Sequence, residues 1–145
     1  MTGHLLANAS CVAIGGRGLL IEGPPGRGKS SLALALIDRG AALVGDDGMV
    51  LELREGRLWA SPPPHIAGHL EIRGVGIVSL PALSAPLCLA LILTEEAPRL
   101  PDLGTRAIMG VTLPSLDFVA AGPDAALRAE WAMRLHGLVL PEGAP

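Results

Sequence analysis

The chain has very little lysine, few aromatic side chains and no tyrosine. Over its 145 residues there are 11 basic side chains, of which Lys29 is the one lysine and the others are arginines. The aromatic residues are two tryptophans and one phenylalanine, and the formal net charge is −3. Proteins that bind single-stranded nucleic acid use aromatic side chains for base stacking and a positive surface for the backbone. The composition therefore argues against a general nucleic-acid-binding or membrane-surface protein.

Cysteines and long apolar runs are also scarce. Cys11 and Cys88 lie far apart and show no CxxC spacing, and the sequence has no metal-type Cys/His cluster. We expect two buried thiols in a reducing cytosol. Residues 1–8 lack the basic region and the apolar stretch of a signal peptide. The apolar run 87–93 is too short to span a bilayer and predicts a buried strand. These features predict a cytoplasmic protein.

The remaining composition is that of a folded domain. Hydrophobic residues make up 50% of the chain and charged residues 17%, which is typical of a globular protein with a core. The length fits a single domain. We predict that this domain covers 1–137 and that a flexible tail, 138–145, follows it.

A phosphate-binding loop is the clearest motif. Residues 23–30 have the sequence GPPGRGKS, which fits the pattern G-x-x-x-x-G-K-[ST]. Glycines let successive backbone N–H groups point inward, and the compact ammonium of Lys29 can reach the β- and γ-phosphates where a planar guanidinium fits poorly. The hydroxyl of Ser30 can bind Mg²⁺. The predicted nucleotide-binding residues are Gly23, Pro24, Pro25, Gly26, Arg27, Gly28, Lys29, Ser30 and Ser31.

The elements around this loop have the order that the motif requires. A strand at 10–14 is predicted to turn through glycines into a strand at 19–22, and a helix at 30–38 follows the loop. Further predicted elements are a strand at 41–45, a hairpin of 49–53 with 58–60, strands at 87–93 and 108–113, and a helix at 124–136. Leu127, Trp131 and Leu135 recur at helical spacing and are predicted to face the core. Many strands with two helices predict an α/β fold, a mixed and strongly curved sheet around one central helix.

Acidic and basic side chains follow the loop along the chain. Asp46 and Asp47 end an apolar strand, where one carboxylate could face Mg²⁺ and the γ-phosphate while its neighbour points away. The alternative is a solvated turn. Glu71 and Arg73 lie two residues apart, so they would share one face of an extended segment and could bind metal and phosphate. The alternative for this pair is a surface ion pair beside a glycine turn.

With these residues in place, the chain resembles the catalytic C-terminal domain of bacterial HPr kinase/phosphorylase. Three blocks carry the resemblance: the loop 23–30, the stretch 38–47 and the segment 70–77 with the sequence LEIRGVGI. The last block is the most specific, since many ATPases and GTPases share the first. The resemblance implies a P-loop fold like that of HPr kinase and PEP carboxykinase, ATP and Mg²⁺ as cofactors, and phosphorylation of a serine on HPr, the small carrier of the phosphotransferase system.

The resemblance also implies a role for each matching residue. Lys29 matches the phosphate-loop lysine and Ser30 a Mg²⁺ ligand. Asp47 resembles the residue that accepts the serine proton, with Asp46 beside it as a further candidate for catalysis and metal binding. The remaining candidates are Glu71 as the second metal ligand, Arg73 in the same functional segment, and Arg99 as a later active-site arginine.

The chain departs from the family in three ways. The family usually has an additional N-terminal domain, so this chain looks like the short form of some proteobacteria. Asn8 stands where the family has a histidine, and an amide cannot shuttle a proton. The segment that the family uses for dephosphorylation is not recognisable in 112–128. We therefore predict a kinase with weak or absent phosphorylase activity.

Two other functions stay open at this point. One is a regulatory ATP-binding module without phosphotransfer, and the other is a small P-loop NTPase or small-molecule kinase. The family also tends to form hexamers in which the acceptor can be bound across subunits, so a homo-oligomer is implied by the resemblance.

Overall fold

The computed structural model describes residues 3–141 and contains eleven strands and two helices in that range. In chain order they are β1 (His4–Ala7), β2 (Ser10–Ile14), β3 (Arg17–Glu22), α1 (Lys29–Asp38), β4 (Ala42–Gly45), β5 (Gly48–Arg54), β6 (Arg57–Ser61), β7 (His69–Ile72), β8 (Gly76–Ser79), β9 (Ala85–Leu93), β10 (Gly104–Ile108), β11 (Val111–Phe118) and α2 (Ala125–His136).

Nine of these strands form one mixed sheet, and β7 and β8 form a separate two-stranded ribbon. The buried run Ala85–Leu93 makes β9 the central strand. It pairs with β6 through its first two residues, and with β3 and β11 in parallel further along. A strand covered on both faces needs an almost continuous apolar sequence, which 87–93 supplies. The parallel trio β3, β9 and β11 therefore brings three carboxyl ends to one edge of the sheet.

Two apolar clusters cover the two faces of this sheet. On one face α1 and α2 pack over β3, β9 and β11, where Leu32, Ala33 and Leu36 of α1 are buried. On the other face the sheet curls over itself, so that Met49, Leu51 and Leu58 meet the central strands. Helix α1 contacts the sheet, α2 and β7. The predicted curved mixed sheet around a central helix is confirmed.

Several predicted elements are confirmed with small changes at their ends. They are the hairpin of β2 and β3, the helix after the loop, β4, the hairpin of β5 and β6, and β9. Strand β1 was not predicted, because its outward side chains, such as the exposed Leu5, hide the alternation that marks a half-buried strand. Among residues 3–141, no helix is long and apolar enough to cross a membrane.

The predicted strand at 108–113 is wrong. Met109 and Gly110 both have positive φ, 51° and 79°, and form the turn between β10 and β11. A two-residue turn with positive φ at both positions matches the twist of an antiparallel hairpin. Glycine is a common residue in such a turn and methionine is not, so only one of the two positions carries the usual turn signal.

The predicted core face of the last helix is also wrong. Leu127, Trp131 and Leu135 are 44%, 55% and 76% exposed. The buried residues of α2 are instead small or flexible, namely Ala125, Ala126, Ala129, Ala132 and Met133. Small side chains let two helices approach closely, and α2 turns this face toward α1 and the sheet. The large residues are left on the outer side.

Both cysteines are buried and unpaired, as predicted. Burial raises the pKa of Cys11 and of Cys88, because an apolar environment disfavours the thiolate. At the other end, the predicted flexible tail stays a prediction. Leu138 is tied to the sheet by a 2.9 Å hydrogen bond from its backbone N–H to the carbonyl of Cys88, and residues 142–145 lie outside the described part.

Candidate active site

The glycine-rich loop lies between the end of β3 and the start of α1. Gly28 is the N-cap of α1 and has a φ of 95°, a conformation that glycine adopts without strain. Within residues 3–141, the backbone N–H groups of Gly26 and Gly28 donate no hydrogen bond. The first N–H groups of a helix are likewise unpaired and carry its positive dipole end. The loop therefore presents a set of donors suited to an anion.

Lys29 is the first residue of α1 and its side chain folds back over the loop. Its Nζ donates hydrogen bonds to the carbonyl oxygens of Gly23, at 2.7 Å, and Pro24, at 3.2 Å. The ammonium is thus held by neutral acceptors at the mouth of the loop. An ammonium bonded to carbonyls can exchange them for phosphate oxygens without crossing an apolar region.

Asp46 joins three separate parts of the chain. Its Oδ1 accepts hydrogen bonds from Ser30 Oγ at 2.6 Å and from Ser10 Oγ at 3.0 Å. Its Oδ2 lies 3.4 Å from the backbone nitrogen of Glu71. The carboxylate is only 9% exposed, and a buried carboxylate needs such donors. Sequence reasoning missed Ser10, because a lone serine at the start of a strand carries no motif.

Asp47 lies next in the chain, directly before β5 begins. It is exposed and has a φ of 60°, which L-residues other than asparagine and aspartate rarely adopt. Its carbonyl oxygen accepts a 3.1 Å hydrogen bond from the backbone N–H of Asn8, which itself has a φ of 61°. Asp46 is the aspartate that contacts the helix after the loop, through Ser30. That only one of the pair faces the nucleotide stays a prediction.

Glu71 and Arg73 do not lie on one extended segment, as the prediction required. Glu71 lies in β7, but that strand ends at Ile72, and Arg73 lies in the turn between β7 and β8. The prediction assumed that the extended segment includes Arg73, but the strand ends one residue before it. Both side chains are exposed. Within the described residues Arg73 forms no hydrogen bond or ion pair.

Arg99 lies apart from this cluster, in the loop that follows β9. That loop still touches the phosphate loop, because Arg27 Nη2 and Glu95 Oε1 form an ion pair of 2.9 Å. A second ion pair lies beneath it. Arg106 of β10 contacts both carboxylate oxygens of Glu22, the last residue of β3, at 2.7 and 3.0 Å. This hydrogen bonding raises the pKa of Arg106 and holds the strand that leads into the loop.

The residues present fit Mg²⁺ with a nucleoside triphosphate. The side chains that meet around Ser30 offer oxygen donors, which Mg²⁺ prefers over nitrogen or sulfur. No group of three or more His, Cys, Asp or Glu side chains gathers anywhere in 3–141. Mg²⁺ in phosphoryl-transfer sites takes one or two carboxylates and completes its shell with substrate phosphates and water. Ser30 and Asp46, with Glu71 adjoining them through its backbone nitrogen, would supply that number of protein ligands.

Comparison with known proteins decides the family. Residues 2–84, more than half of the chain, match the family model of the HPr serine kinase C-terminal domain. This chain belongs to the HPr serine kinase C-terminal domain family. HPr kinase/phosphorylases from Clostridium tetani and Streptococcus thermophilus are 47% and 48% identical to it over 72 and 73 residues. The matched segment is half of this chain but spans only about a quarter of the length of these relatives, 24% in each.

The fold of this HPr kinase domain agrees with a solved relative over nearly its whole length. The structure of the Hpr(Ser) kinase/phosphatase from Coxiella burnetii matches with a TM-score of 0.82 and 32% sequence identity. The match covers 92% of this chain and 90% of that chain. The similarity therefore extends beyond the sequence match, through β9 to α2.

Proposed function

We propose that this domain is an ATP-dependent protein-serine kinase and that its acceptor is an HPr-type phosphocarrier protein. The observation that carries the proposal is the 2.6 Å hydrogen bond between Ser30 and Asp46. It places a hydroxyl and a buried carboxylate together at the first turn of the helix that follows a phosphate-binding loop. P-loop kinases and NTPases hold Mg²⁺ with the same two kinds of side chain.

The loop and its helix would bind the triphosphate. The backbone N–H groups of the loop and the ammonium of Lys29 would bind the β- and γ-phosphates, and Ser30, Asp46 and Glu71 would hold Mg²⁺. Bound Mg²⁺ neutralises charge on the transferring phosphoryl group. What the chain itself contributes is positioning and electrostatic stabilisation, which account for most of the catalysis in phosphoryl transfer.

Asp47 is proposed as the general base. The acceptor serine's oxygen forms a new bond to the γ-phosphorus, the bond from that phosphorus to the bridging oxygen breaks, and ADP leaves with the bonding electrons. The serine proton passes to the carboxylate of Asp47. This carboxylate is exposed, so a side chain on the surface of another protein can reach it.

The reverse reaction is proposed to be weak or absent. Phosphate-driven dephosphorylation needs a group near the site that takes up and releases a proton, and Asn8 offers an amide that does neither near neutral pH. We propose that the kinase acts in the cytoplasm, as the sequence features of the chain predict.

Label transfer tests the proposed function. The protein is incubated with Mg²⁺, ATP labelled in the γ-phosphate and HPr-like proteins of the source organism, and the products are separated by mass. We expect label on a serine of one carrier, and we expect Asp47→Asn to remove it while ATP still binds. Binding of ATP without transfer to any carrier would contradict a kinase.

A regulatory ATP-binding module is the second candidate. The 3.1 Å hydrogen bond between the backbones of Asn8 and Asp47 favours it, since the residue beside the proposed base carries an amide and no titratable group. It predicts tight ATP binding without label transfer. An NTPase or small-molecule kinase would instead release phosphate, or label a small acceptor, at a rate that no protein acceptor stimulates.

A further inference from the structure

A cavity of about 640 Å³ lies on the outer side of α2. Its floor is the end of β11, one wall is the exposed side of α2, and the other is the loop at 97–101. Most of the lining is apolar, including Pro98, Phe118, Trp131 and Leu135. Small-molecule sites have this size and character. The large residues that α2 does not bury against the core are therefore the wall of a pocket.

The cavity opens at the same edge of the sheet as the phosphate loop. Glu22 of β3 pairs with Ile92 of β9, and Phe118 of β11 pairs with Leu93, so the three parallel strands end level. Neighbouring strands are about 4.8 Å apart, which puts the end of β11 about 10 Å from the end of β3. In open α/β sheets, ligands bind across the carboxyl ends of neighbouring parallel strands.

One loop connects the two places directly. The segment after β9 contacts the phosphate loop through the ion pair of Glu95 with Arg27. Two residues later it reaches the cavity, which Ala97, Pro98 and Arg99 line. A ligand that extends from the phosphate loop along this segment enters the cavity.

The arginines around the cavity favour an anionic ligand, and its apolar lining favours a ligand that also carries an apolar ring. Arg99, Arg128 and Arg134 line it, against one carboxylate, Asp117. Arg128 is already bonded to the carbonyls of Val119 and Ala121, and Arg134 stacks 4.3 Å from the centre of the Trp131 ring. Arg99 has no hydrogen-bond or ion-pair partner among residues 3–141. The Arg99 guanidinium is thus available to bind a phosphate group that lies between the phosphate loop and the cavity.

We propose that this cavity receives the base and ribose of the nucleotide whose phosphates bind the loop at 23–30. The proposal rests on the proposed function, since it requires that a nucleotide binds there. The flat, apolar faces of a base match Trp131 and the proline-rich wall, and Arg99 meets the phosphates between the two sites. An aromatic wall gives binding that is tolerant of the base, because every base offers a stacking face.

The test separates the base from the phosphates. Affinities for Mg·ATP and for Mg·tripolyphosphate, which has the phosphates but no base, are measured by calorimetry for the parent protein, for Trp131→Ala and for Leu127→Ala. Leu127 lies one helical turn earlier on the same side of α2 and is 44% exposed, but it does not line the cavity. Both positions are open to solvent, so neither change removes core packing.

We expect Trp131→Ala to weaken Mg·ATP binding about tenfold, the scale of one lost base-stacking contact. Tripolyphosphate affinity should not change, and Leu127→Ala should match the parent for both ligands. Equal ATP affinity in Trp131→Ala and the parent would overturn the proposal and leave the phosphate loop intact. If the parent protein bound neither Mg·ATP nor Mg·tripolyphosphate, the proposed kinase function would be refuted. The proposal that the cavity receives the base would then be refuted as well.

Discussion

The backbone N–H of Asn8 donates a 3.1 Å hydrogen bond to the carbonyl oxygen of Asp47. The two residues lie at the ends of the paired strands β1 and β5, and both have a positive φ near 60°. The backbone at position 8 therefore adjoins the backbone of the proposed general base. A histidine placed at this position would occupy the same place in the chain.

Replacing Asn8 by histidine should raise phosphorylase activity. Histidine tolerates a positive φ better than most residues, so the turn should form. An imidazole titrates near neutral pH and can exchange a proton at this site, an effect worth about a hundredfold or more when a general acid or base is well placed. The measurement is the phosphate-dependent release of pyrophosphate from serine-phosphorylated HPr.

Asn8→Gly is the control for this change, because glycine accepts the same φ and adds no titratable group. It should stay at the parent's rate. A histidine variant that folds, binds ATP and is no faster than the glycine variant would show that position 8 does not limit the reverse reaction.

Lys29→Ala and Lys29→Arg should both lose affinity for Mg·ATP. Alanine removes the charge, and arginine keeps it but cannot place a planar guanidinium where Nζ meets Gly23 and Pro24. We expect a loss of at least about a hundredfold for alanine, the scale of a charge-assisted contact to phosphate. ATP titration by calorimetry measures it, and unaltered affinity in the alanine variant would refute the phosphate-loop assignment.

Ser10→Ala should affect both stability and metal dependence. It removes one of the two hydroxyl donors on Asp46 Oδ1, so the free energy of unfolding should fall by about 1–3 kcal/mol, the cost of leaving a buried acceptor short of a partner. Asp46 is then less firmly held against Ser30, and more Mg²⁺ should be needed for half-maximal activity.

Urea denaturation and a Mg²⁺ titration of the kinase reaction measure the two effects of Ser10→Ala. Ser115→Ala is the matched control, since Ser115 is also a buried serine but lies in β11, three strands from β2. A loss of stability with an unchanged Mg²⁺ midpoint would make Ser10 a packing residue only.

The thiols of Cys11 and Cys88 should resist alkylation in the folded protein. Burial raises both pKa values, so neither thiol ionises near the ordinary value of 9.0. The unfolded chain does ionise there. The two thiols should consequently cause no change in the free energy of unfolding with pH below pH 9.0. Above that pH the free energy of unfolding should fall, because only the unfolded state releases the thiol protons.

Iodoacetamide labelling with and without denaturant checks the thiols. We expect no modification of the native protein at pH 8 and two modifications after unfolding. Rapid labelling of one thiol in the native state would mean that its surroundings open to solvent far more often than the packed core implies.

The sequence predicted the parts of the site that are local. The loop at 23–30, the helix after it and the pair Asp46–Asp47 depend on neighbours in the chain, so glycine positions, helix formers and an apolar strand are enough to place them. Ser10 could not be found in this way. Its role depends on an approach between residues 36 positions apart, which only the pairing of β2 with β3 and β4 brings about.

Helix α2 shows why periodicity alone can assign the wrong face. Leucine and tryptophan at helical spacing predicted a core stripe, yet the helix buries alanines at the same period on another side. Periodicity gives most weight to the largest apolar side chains, whereas close contact of α2 with α1 requires small residues. A helix with an alanine face and a leucine–tryptophan face could bury either one against the core. The fit with the neighbouring helix determines which face is buried.

The three bonds to Asp46 have a consequence for local unfolding. Ser10 starts β2, Ser30 lies in the first turn of α1, and Glu71 belongs to the ribbon of β7 and β8. None of these segments can move away without exposing the same carboxylate. They should therefore open together as one cooperative unit, and amide protons around Cys11, Leu32 and Glu71 should exchange with solvent at a common free energy of opening.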